Sequence, residues 1–458
     1  MLFNSLPFIF VFMPLTAIVY FLLNKRHLTL FANIALIVAS FIFYGLGDIH
    51  SVRVMLGSIL VNFAFTSQIN RLKAPSERKG LLIVGIIFNV ALLCYYKYAV
   101  FFAENANFLL GTHFDFSNIF LPLAISFLTF QQIAYLVDTY HDETKEYDFF
   151  DYALFICFFP KLISGPITAH RELMPQIKRA RNRFVNWENV YKGLFIFSIG
   201  LFKKVMIADK LVEMVGSGYS EYSKLSMLQA WETSLCYTMQ LYLDFSGYCD
   251  MAMGAALILN IRLPVNFNSP YKACNIQDFW RRWHITLSRW LMAYIYIPLG
   301  GNRKGLFRTY VNLFVVFLVG GFWHGAGWPF IVWGALHGSA MVCHRFWMTH
   351  GFKMPAWLGW VLTMCFVNIA WIFFRASDIN VAWCVTQKLF DFASFSTEHL
   401  QNLAAPVALL AFARLFPNSI EWLEKVDARK RWGIFAALLT FGYVLVSHRV
   451  SEFIYANF

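Results

Sequence analysis

The chain has 458 residues, of which 59% are apolar and 14% are charged, whereas an ordinary soluble domain carries about 25% charged residues. Phenylalanine alone contributes 50 residues, and a soluble core of this length could not bury so many apolar side chains. The composition therefore excludes a soluble enzyme, a disordered chain and a disulfide scaffold, and it predicts an all-α polytopic membrane protein.

The apolar runs are separated by short loops that carry most of the basic residues. Loops 24–27 and 70–79 are both basic and lie an even number of crossings apart, which predicts that both are cytoplasmic and that the N-terminus is extracytoplasmic. The runs that we interpret as membrane helices lie near 6–23, 28–44, 52–69, 81–102, 119–137, 190–208, 227–246, 309–322, 330–347, 357–374, 402–416 and 432–447.

The net charge of +12 follows the same pattern, because basic residues collect in loops as the positive-inside rule describes. We therefore expect no nucleic-acid partner. The eight cysteines are scattered through apolar segments without a CxxC pair, so the sequence predicts neither a disulfide framework nor a metal site.

Segment 149–166 is apolar, yet Pro160, Lys161, Gly165 and Pro166 interrupt it. Both of its ends are predicted to face the cytoplasm, so it cannot be a simple crossing. We expect a re-entrant segment, because irregular backbone at membrane depth needs a cavity lined by protein.

Segment 277–290 is the most informative stretch, since it places four charges, one histidine and two hydroxyl groups among three tryptophans. On a helix, Arg281, His284 and Ser288 would share one face, and Arg282 and Arg289 would form a second stripe. Two interpretations stay open. Ionisable groups beside a membrane usually line a polar cavity, but an amphipathic helix at the membrane interface would carry the same residues.

His324 is the second feature that can carry chemistry, because it lies between glycines near the middle of an apolar stretch. A lone histidine in such a stretch usually packs in a core, although an ionisable group at membrane depth is also a functional candidate. The neighbouring aromatic rings should keep the imidazole neutral, as a general base requires. His337 and His344 share a helix face without a carboxylate, so we expect packing roles for them.

These stretches together resemble the signature of membrane-bound O-acyltransferases, in order as well as in spacing. The matching segments are LPLAISF (121–127), TFQQIAYLVD (129–138), FFPKLISGP (158–166), DFSGYCD (244–250), DFWRRWHITLSRW (278–290), YIPLGGNR (296–303) and FWHG (322–325). The sequence is most similar to the bacterial branch that contains the transmembrane subunits of alginate and peptidoglycan O-acetyltransferases. It departs from that branch at Met292-Ala293, where a basic–acidic pair is usual.

The resemblance implies one integral-membrane domain over 1–458, with a helical rim around a membrane-crossing catalytic tunnel, re-entrant segments and a signature region at about 244–337. It implies a multi-pass enzyme of the bacterial inner membrane that takes acetyl from cytoplasmic acetyl-CoA and passes it outward for O-acetylation of peptidoglycan or an alginate-like exopolysaccharide. The implied partners are the bilayer, the polysaccharide and a periplasmic SGNH esterase-like acetyltransferase. The alternative is a transporter or flippase that uses His324 as a proton relay.

By position, the resemblance makes His324 the central catalytic histidine and His284 the second polar residue of the site. The expected substrate-binding residues around them are Asp278, Arg281, Arg282, Trp283, Ser288, Arg289 and Trp323. Arginine suits the phosphates of acetyl-CoA, and Arg303, Lys304 and Arg308 crowd the same predicted face, although positive-inside topology explains these residues equally well.

The C-terminal segment 452–458 is rich in aromatic residues and is predicted to be extracytoplasmic. One interpretation is anchoring at the headgroup level of the membrane. The other is that the segment docks the periplasmic partner or folds into the outer mouth of the tunnel, where Tyr455 would be a candidate acyl relay once a base removes its proton.

Overall fold

The computed structural model of the protein describes residues 1–144, 148–425, 436–437 and 440–442. Across these residues the chain consists of helices and the loops that join them, with no strand, as the composition predicted. The candidate relay Tyr455, the segment 452–458 and most of the predicted span 432–447 lie outside the described residues.

The chain separates into two compact units. Unit 1 contains 1–201, 248–264 and the described residues after 425, and unit 2 contains 202–247 and 265–425. The single domain over 1–458 stays a prediction. The helices of the first half are α1 (Met13–Lys25), α2 (Thr29–Gly45), α3 (Ile49–Arg71), α4 (Pro75–Leu93), α5 (Ala99–Leu110), α6 (Ile125–Tyr140), α7 (Phe149–Cys157), α8 (Phe159–Leu162), α9 (His170–Lys178) and α10 (Trp187–Phe202).

The second half of the chain contains α12, the longest helix described, whose residues are shared between the two units. Its helices are α11 (Asp209–Ser220), α12 (Met227–Ile258), α13 (Ile276–Arg282), α14 (Ile285–Leu291), α15 (Leu306–His324), α16 (Trp328–Thr349), α17 (Ala356–Arg375), α18 (Ile379–Lys388), α19 (Ala404–Leu415) and α20 (Ser419–Lys425). Short π-helical segments extend several of these, and Met292–Tyr296 continues α14 in this way.

Five helical stretches of the described chain are long and apolar enough to cross a membrane: Phe8–Lys25, Ile49–Arg71, Pro75–Leu110, Leu306–His324 and Ala356–Arg375. Each coincides with a predicted span, and α2 is a shorter apolar helix. The predicted helix at 119–137 begins later, at Ile125, because the preceding residues form a loop. The predicted span 227–246 is the first part of α12, which continues through the DFSGYCD motif. The orientation of the chain stays a prediction.

The predicted re-entrant segment contains two helices of nine and four residues, α7 and α8, which meet at Phe158. A crossing needs about 20 helical residues, so neither helix spans a bilayer. Lys161 in α8 is fully buried. Its Nζ donates to Gln131 Oε1 at 2.7 Å and lies 3.9 Å from the centre of the Phe155 ring, and these contacts offset part of the cost of burying an ammonium group.

Helices α15 and α16 of unit 2 pack closely because glycines line their contact. A Cβ atom at Gly334 would lie 2.6 Å from the carbonyl oxygen of Phe317, and one at Gly321 would lie 2.4 Å from that of Phe330. Gly334 and Gly338 form a GxxxG pair on α16, the pattern that lets membrane helices approach backbone to backbone. This close packing positions the histidines of both helices.

Candidate active site

Segment 277–290 is not the single helix that the sequence predicted. Helix α13 ends at Arg282, Trp283 is extended, and His284 adopts a left-handed conformation with φ of 43° before α14 begins. The reason lies in the segment around Asn266. The Asn268 N–H donates to the Arg282 carbonyl at 2.9 Å and the Ile285 N–H donates to the Asn266 carbonyl at 3.0 Å, so these backbone groups are satisfied outside a helix.

His284 is fully buried, and its tautomer follows from its hydrogen bonds. The Oδ1 atom of Asn266 accepts from the Thr286 N–H at 3.2 Å and from its hydroxyl at 2.9 Å, and it lies 3.1 Å from His284 Nδ1. An amide oxygen only accepts, so Nδ1 carries the proton and Nε2 keeps its lone pair. Among the described residues Nε2 has no hydrogen-bond partner. Burial lowers the pKa of His284 to about 3, so the ring is neutral near pH 7.

His324 is the last residue of α15, which extends two residues beyond the predicted span 309–322. It is 2% exposed. Its ring meets Trp333 at 5.1 Å and Phe374 at 5.1 Å, both edge to face, and the centre of the His284 ring is 6.4 Å away. The two histidines that the resemblance singled out therefore lie side by side among aromatic rings.

A cavity of about 640 Å³ in unit 2 includes His324 in its wall. Most of the wall is apolar and comes from the Met292–Tyr296 segment and from helices α14, α15 and α16. The ionisable residues in the wall, besides His324, are Arg281, Tyr296, Arg303, His344 and Arg345. The three arginines are exposed whereas His324 is buried, so the cavity connects a cationic surface with His324.

The guanidinium groups of Arg281, Arg303 and Arg345 have no carboxylate or hydrogen-bond partner in the part of the chain that the structure describes. The charges of Arg281 and Arg345 also both act on the His344 ring. Like charges gathered at one place repel each other, so this arrangement favours the binding of an anion.

Apart from Arg281 and Ser288, the residues of the predicted binding set do not line the cavity. Arg282 donates from Nε to Asp278 Oδ1 at 2.9 Å, so these two residues bind each other. Trp283 is buried against Trp371, with ring centres 4.9 Å apart. The other two are Arg289, which is exposed, and Trp323, whose ring packs on His324 at 4.9 Å. Ser288 does line the cavity, and its hydroxyl donates to the Trp280 carbonyl at 3.3 Å.

Asp244 lies in α12 and pairs with a lysine. Its Oδ1 atom is 2.7 Å from Lys204 Nζ, which also contacts Asp209 at 2.8 Å. The next residue, Phe245, packs edge to face on the His284 ring at 4.9 Å. The first part of the DFSGYCD motif therefore supports the histidine from the side.

In unit 1, one group of side chains has the composition of a metal site: Asp138, Glu143 and His170. Both ring nitrogens of His170 are engaged, Nδ1 with the Asp138 carboxylate at 3.0 Å and Nε2 with the Glu143 carbonyl at 3.0 Å. Hydrogen bonding therefore accounts for this group without a metal ion.

The residues predicted from the sequence did not include Asn266, Trp333 and Arg345. His344 lines the cavity, although a packing role was predicted for it. Asn266 lies outside the motif 278–290 that it supports, so the motif gives no indication of its role. The GxxxG pair on α16 is the signal that would have brought that helix, with Trp333 and Arg345, to the site.

The sequence model described as the membrane-bound O-acyltransferase family matches residues 141–384. A peptidoglycan O-acetyltransferase from Helicobacter pylori is 47% identical over 436 residues, which cover 88% of this chain and 82% of the relative. A protein named probable alginate O-acetylase AlgI from Pseudomonas aeruginosa is 36% identical over 409 residues, covering 88% and 77%.

A more distant relative, the teichoic acid D-alanyltransferase of Bacillus subtilis, is 29% identical over 239 residues, which cover 50% of this chain and 60% of the relative. The chain belongs to the membrane-bound O-acyltransferase family. It is therefore an O-acyltransferase that uses an acyl donor, and it is a multi-pass membrane protein. Family membership favours this enzyme activity over the transporter alternative.

Proposed function

We propose that the protein takes acetyl from cytoplasmic acetyl-CoA and passes it across the bacterial inner membrane for O-acetylation of an extracytoplasmic polysaccharide. The observation that carries this proposal is the cavity that joins His324 to three arginines without a partner among the described residues, with the His284 ring 6.4 Å from that of His324. An acyl-CoA needs both features, since it has phosphates at one end and a reactive thioester at the other.

The arginines would bind the donor by its phosphates. Arg281, Arg303 and Arg345 offer planar guanidinium groups that suit phosphate oxygens, and the apolar wall beyond them suits the uncharged arm of the molecule. Arg282 is a weaker candidate, because Asp278 already neutralises it. The same arginines would also satisfy the positive-inside rule, so direct binding measurements must separate the two explanations.

His324 would act as the general base. It would remove the proton from the attacking hydroxyl while the oxygen adds to the thioester carbonyl, and it would return that proton to the departing thiolate. His284 has a different part. Its Nδ1 proton is held by Asn266 and its low pKa makes it a poor base, so its Nε2 lone pair would accept a hydrogen bond and orient a reacting hydroxyl.

The names of the relatives support a polysaccharide acceptor, either peptidoglycan or an alginate-like exopolysaccharide. Transfer to such a polymer would use a periplasmic SGNH esterase-like partner, because His284 and His324 are both buried. The candidate relay Tyr455 would carry the acetyl group between the two proteins, and this role belongs to the part of the chain outside the described residues.

The test measures ester-linked acetate, released by mild alkali, on each surface polymer of a deletion strain. Wild-type protein should restore acetate on one polymer, whereas His324→Ala should restore about 10²- to 10⁴-fold less activity, the usual cost of losing a general base. The matched control is His350→Ala, since His350 is an exposed histidine at the end of α16 and outside the cavity. Near-normal acetylation with a stably inserted His324→Ala protein would contradict the proposal.

A further inference from the structure

His337 on α16 is a third buried histidine of unit 2, and the proposed chemistry does not use it. It has no measurable exposure, and aromatic rings surround it. Its Nδ1 atom accepts a hydrogen bond of 3.2 Å from the indole N–H of Trp280. Because Nδ1 accepts, the neutral ring carries its proton on Nε2, which has no hydrogen-bond partner among the described residues.

The two residues that His337 contacts most closely are both part of the cavity wall. Trp280 is held by the hydrogen bond, and its ring centre lies 5.1 Å from that of His337. Trp333 lies 4.7 Å from His337 on one side and 5.1 Å from His324 on the other. His337 itself does not line the cavity. It therefore packs against these two wall residues without facing the cavity itself.

We propose that His337 is a positioning residue that fixes the Trp280 indole as a wall of the acyl-donor cavity. The indole N–H of Trp280 is buried, and a buried donor without an acceptor is costly, so His337 selects the one ring orientation that satisfies it. Trp280 also lies next to Arg281 in α13, so the same orientation sets the width of the cavity beside the cationic residues.

The inference rests on the proposed function only for the identity of the donor. The hydrogen bond between His337 and Trp280 is a property of the fold and can be observed without any ligand. Two readouts are therefore needed, one for the indole ring and one for acetyl-CoA.

The first readout is fluorine NMR of protein labelled with fluorotryptophan, in which Trp280→Phe identifies the Trp280 signal. His337→Phe keeps an aromatic ring but removes the acceptor, and it should shift and broaden the Trp280 signal. His337→Gln offers an amide oxygen as acceptor and should bring the signal back toward its wild-type position. An unchanged Trp280 signal in His337→Phe would overturn the proposal, whatever the donor is.

The second readout is the KM for acetyl-CoA against kcat. We expect His337→Phe to raise KM about tenfold, within the range for an unpaired buried donor, with a smaller change in kcat. His337→Gln should restore KM to within about twofold, because it again offers an acceptor. In the Trp280→Phe background, His337→Phe should add nothing further, since the shared hydrogen bond is already gone. Independent, additive effects would contradict the proposal.

The matched control is Asn89→Leu in unit 1, which removes a buried hydrogen bond to Asn62. It should lower thermal stability without changing KM. If it raised KM as His337→Phe does, the effect of His337 would be general destabilisation and the proposal would be wrong. If wild-type protein did not use acetyl-CoA while the Trp280 signal still moved, the proposed donor would fail and the positioning role would stand.

Discussion

At the scale of single residues, the site depends on the hydrogen bonds and the packing of each histidine. His284 has one hydrogen-bonded nitrogen and one free lone pair because Asn266 accepts from Nδ1. His324 has its ring enclosed by aromatic side chains at the end of a helix. The same side chain therefore occupies two different environments 6.4 Å apart, which suits two different roles.

Replacing Asn266 by leucine should lower the rate of acetyl transfer by about 10²-fold, the scale associated with a misplaced reacting group. The change removes the acceptor that fixes both the His284 tautomer and the left-handed turn. Asn266→Asp keeps an acceptor oxygen and should lose less activity. The measurement is single-turnover acetyl transfer by purified protein, and equal rates for wild type and Asn266→Leu would contradict the expectation.

The lowered pKa of His284 makes a prediction about stability. The unfolded chain binds a proton near pH 6.5 and the folded chain only near pH 3, so the contribution of His284 is fully present above pH 6.5 and decreases as the pH falls toward 3. Melting temperatures in detergent should therefore fall from pH 7.5 to pH 5. His284→Gln should show a smaller decrease over the same interval, and an identical decrease in both proteins would refute the assignment.

At the scale of helices, glycines decide which side chains meet. The contact between α15 and α16 places Gly321 against Gly334, and it brings Trp333 onto His324. The break between α13 and α14 is the other decisive feature, because a continuous helix would have turned His284 to the same face as Arg281. The cavity wall contains Arg281 and Ser288 but not His284.

We expect Gly334→Ala to destabilise the protein by about 1–3 kcal/mol, the usual cost of overpacking. The new methyl group would lie 2.6 Å from the Phe317 carbonyl oxygen and would separate the two helices. Gly57→Ala is the matched control, since Gly57 lies inside a candidate span with open space around its Cα. Thermal unfolding in detergent compares them, and similar melting temperatures for the two variants would show that the contact tolerates a methyl group.

At the scale of the whole molecule, the net charge is +12, and the basic residues behind it fall into two groups. One group is paired with carboxylates, and the other lines the cavity. Arg282 pairs with Asp278 and Lys204 pairs with Asp244, so these charges are already balanced. The arginines in the cavity wall are not balanced within the described chain. Only the three-dimensional arrangement separates the two groups, because all of them are basic residues near apolar runs in the sequence.

Replacing Arg281 and Arg345 together by glutamine should weaken acetyl-CoA binding by roughly tenfold, since each charged contact at an exposed position contributes up to about 1 kcal/mol. The binding of wild type should also weaken with added salt, and the variant should show a shallower dependence because screening has fewer charges to act on. Arg282→Gln is the control and should change affinity little. Titration calorimetry at several salt concentrations measures the affinity for acetyl-CoA. Equal affinities for all three proteins would mean that the arginines only satisfy the positive-inside rule.

The sequence by itself determined the class of protein. Its apolar content and the placement of its basic loops indicate a helical membrane protein, and the order of its motifs indicates the O-acyltransferase family. The resemblance to that family then implies that His284 and His324 are the residues of the site. These features depend on composition and on local spacing, and both can be read from the sequence without the folded structure. The positions of several spans were predicted for the same reason.

Only the tertiary structure decided how the site is built, because its contacts join residues that are distant in the chain. Asn266 and His284 are 18 positions apart, and Trp280 and His337 are 57 positions apart. Sequence periodicity relates residues only a few positions apart, so it cannot indicate such pairs. The break at His284 likewise arises from hydrogen bonds to another segment, which prevent a continuous helix over 277–290. The position of that break leaves Arg281, and not Arg282, in the cavity wall.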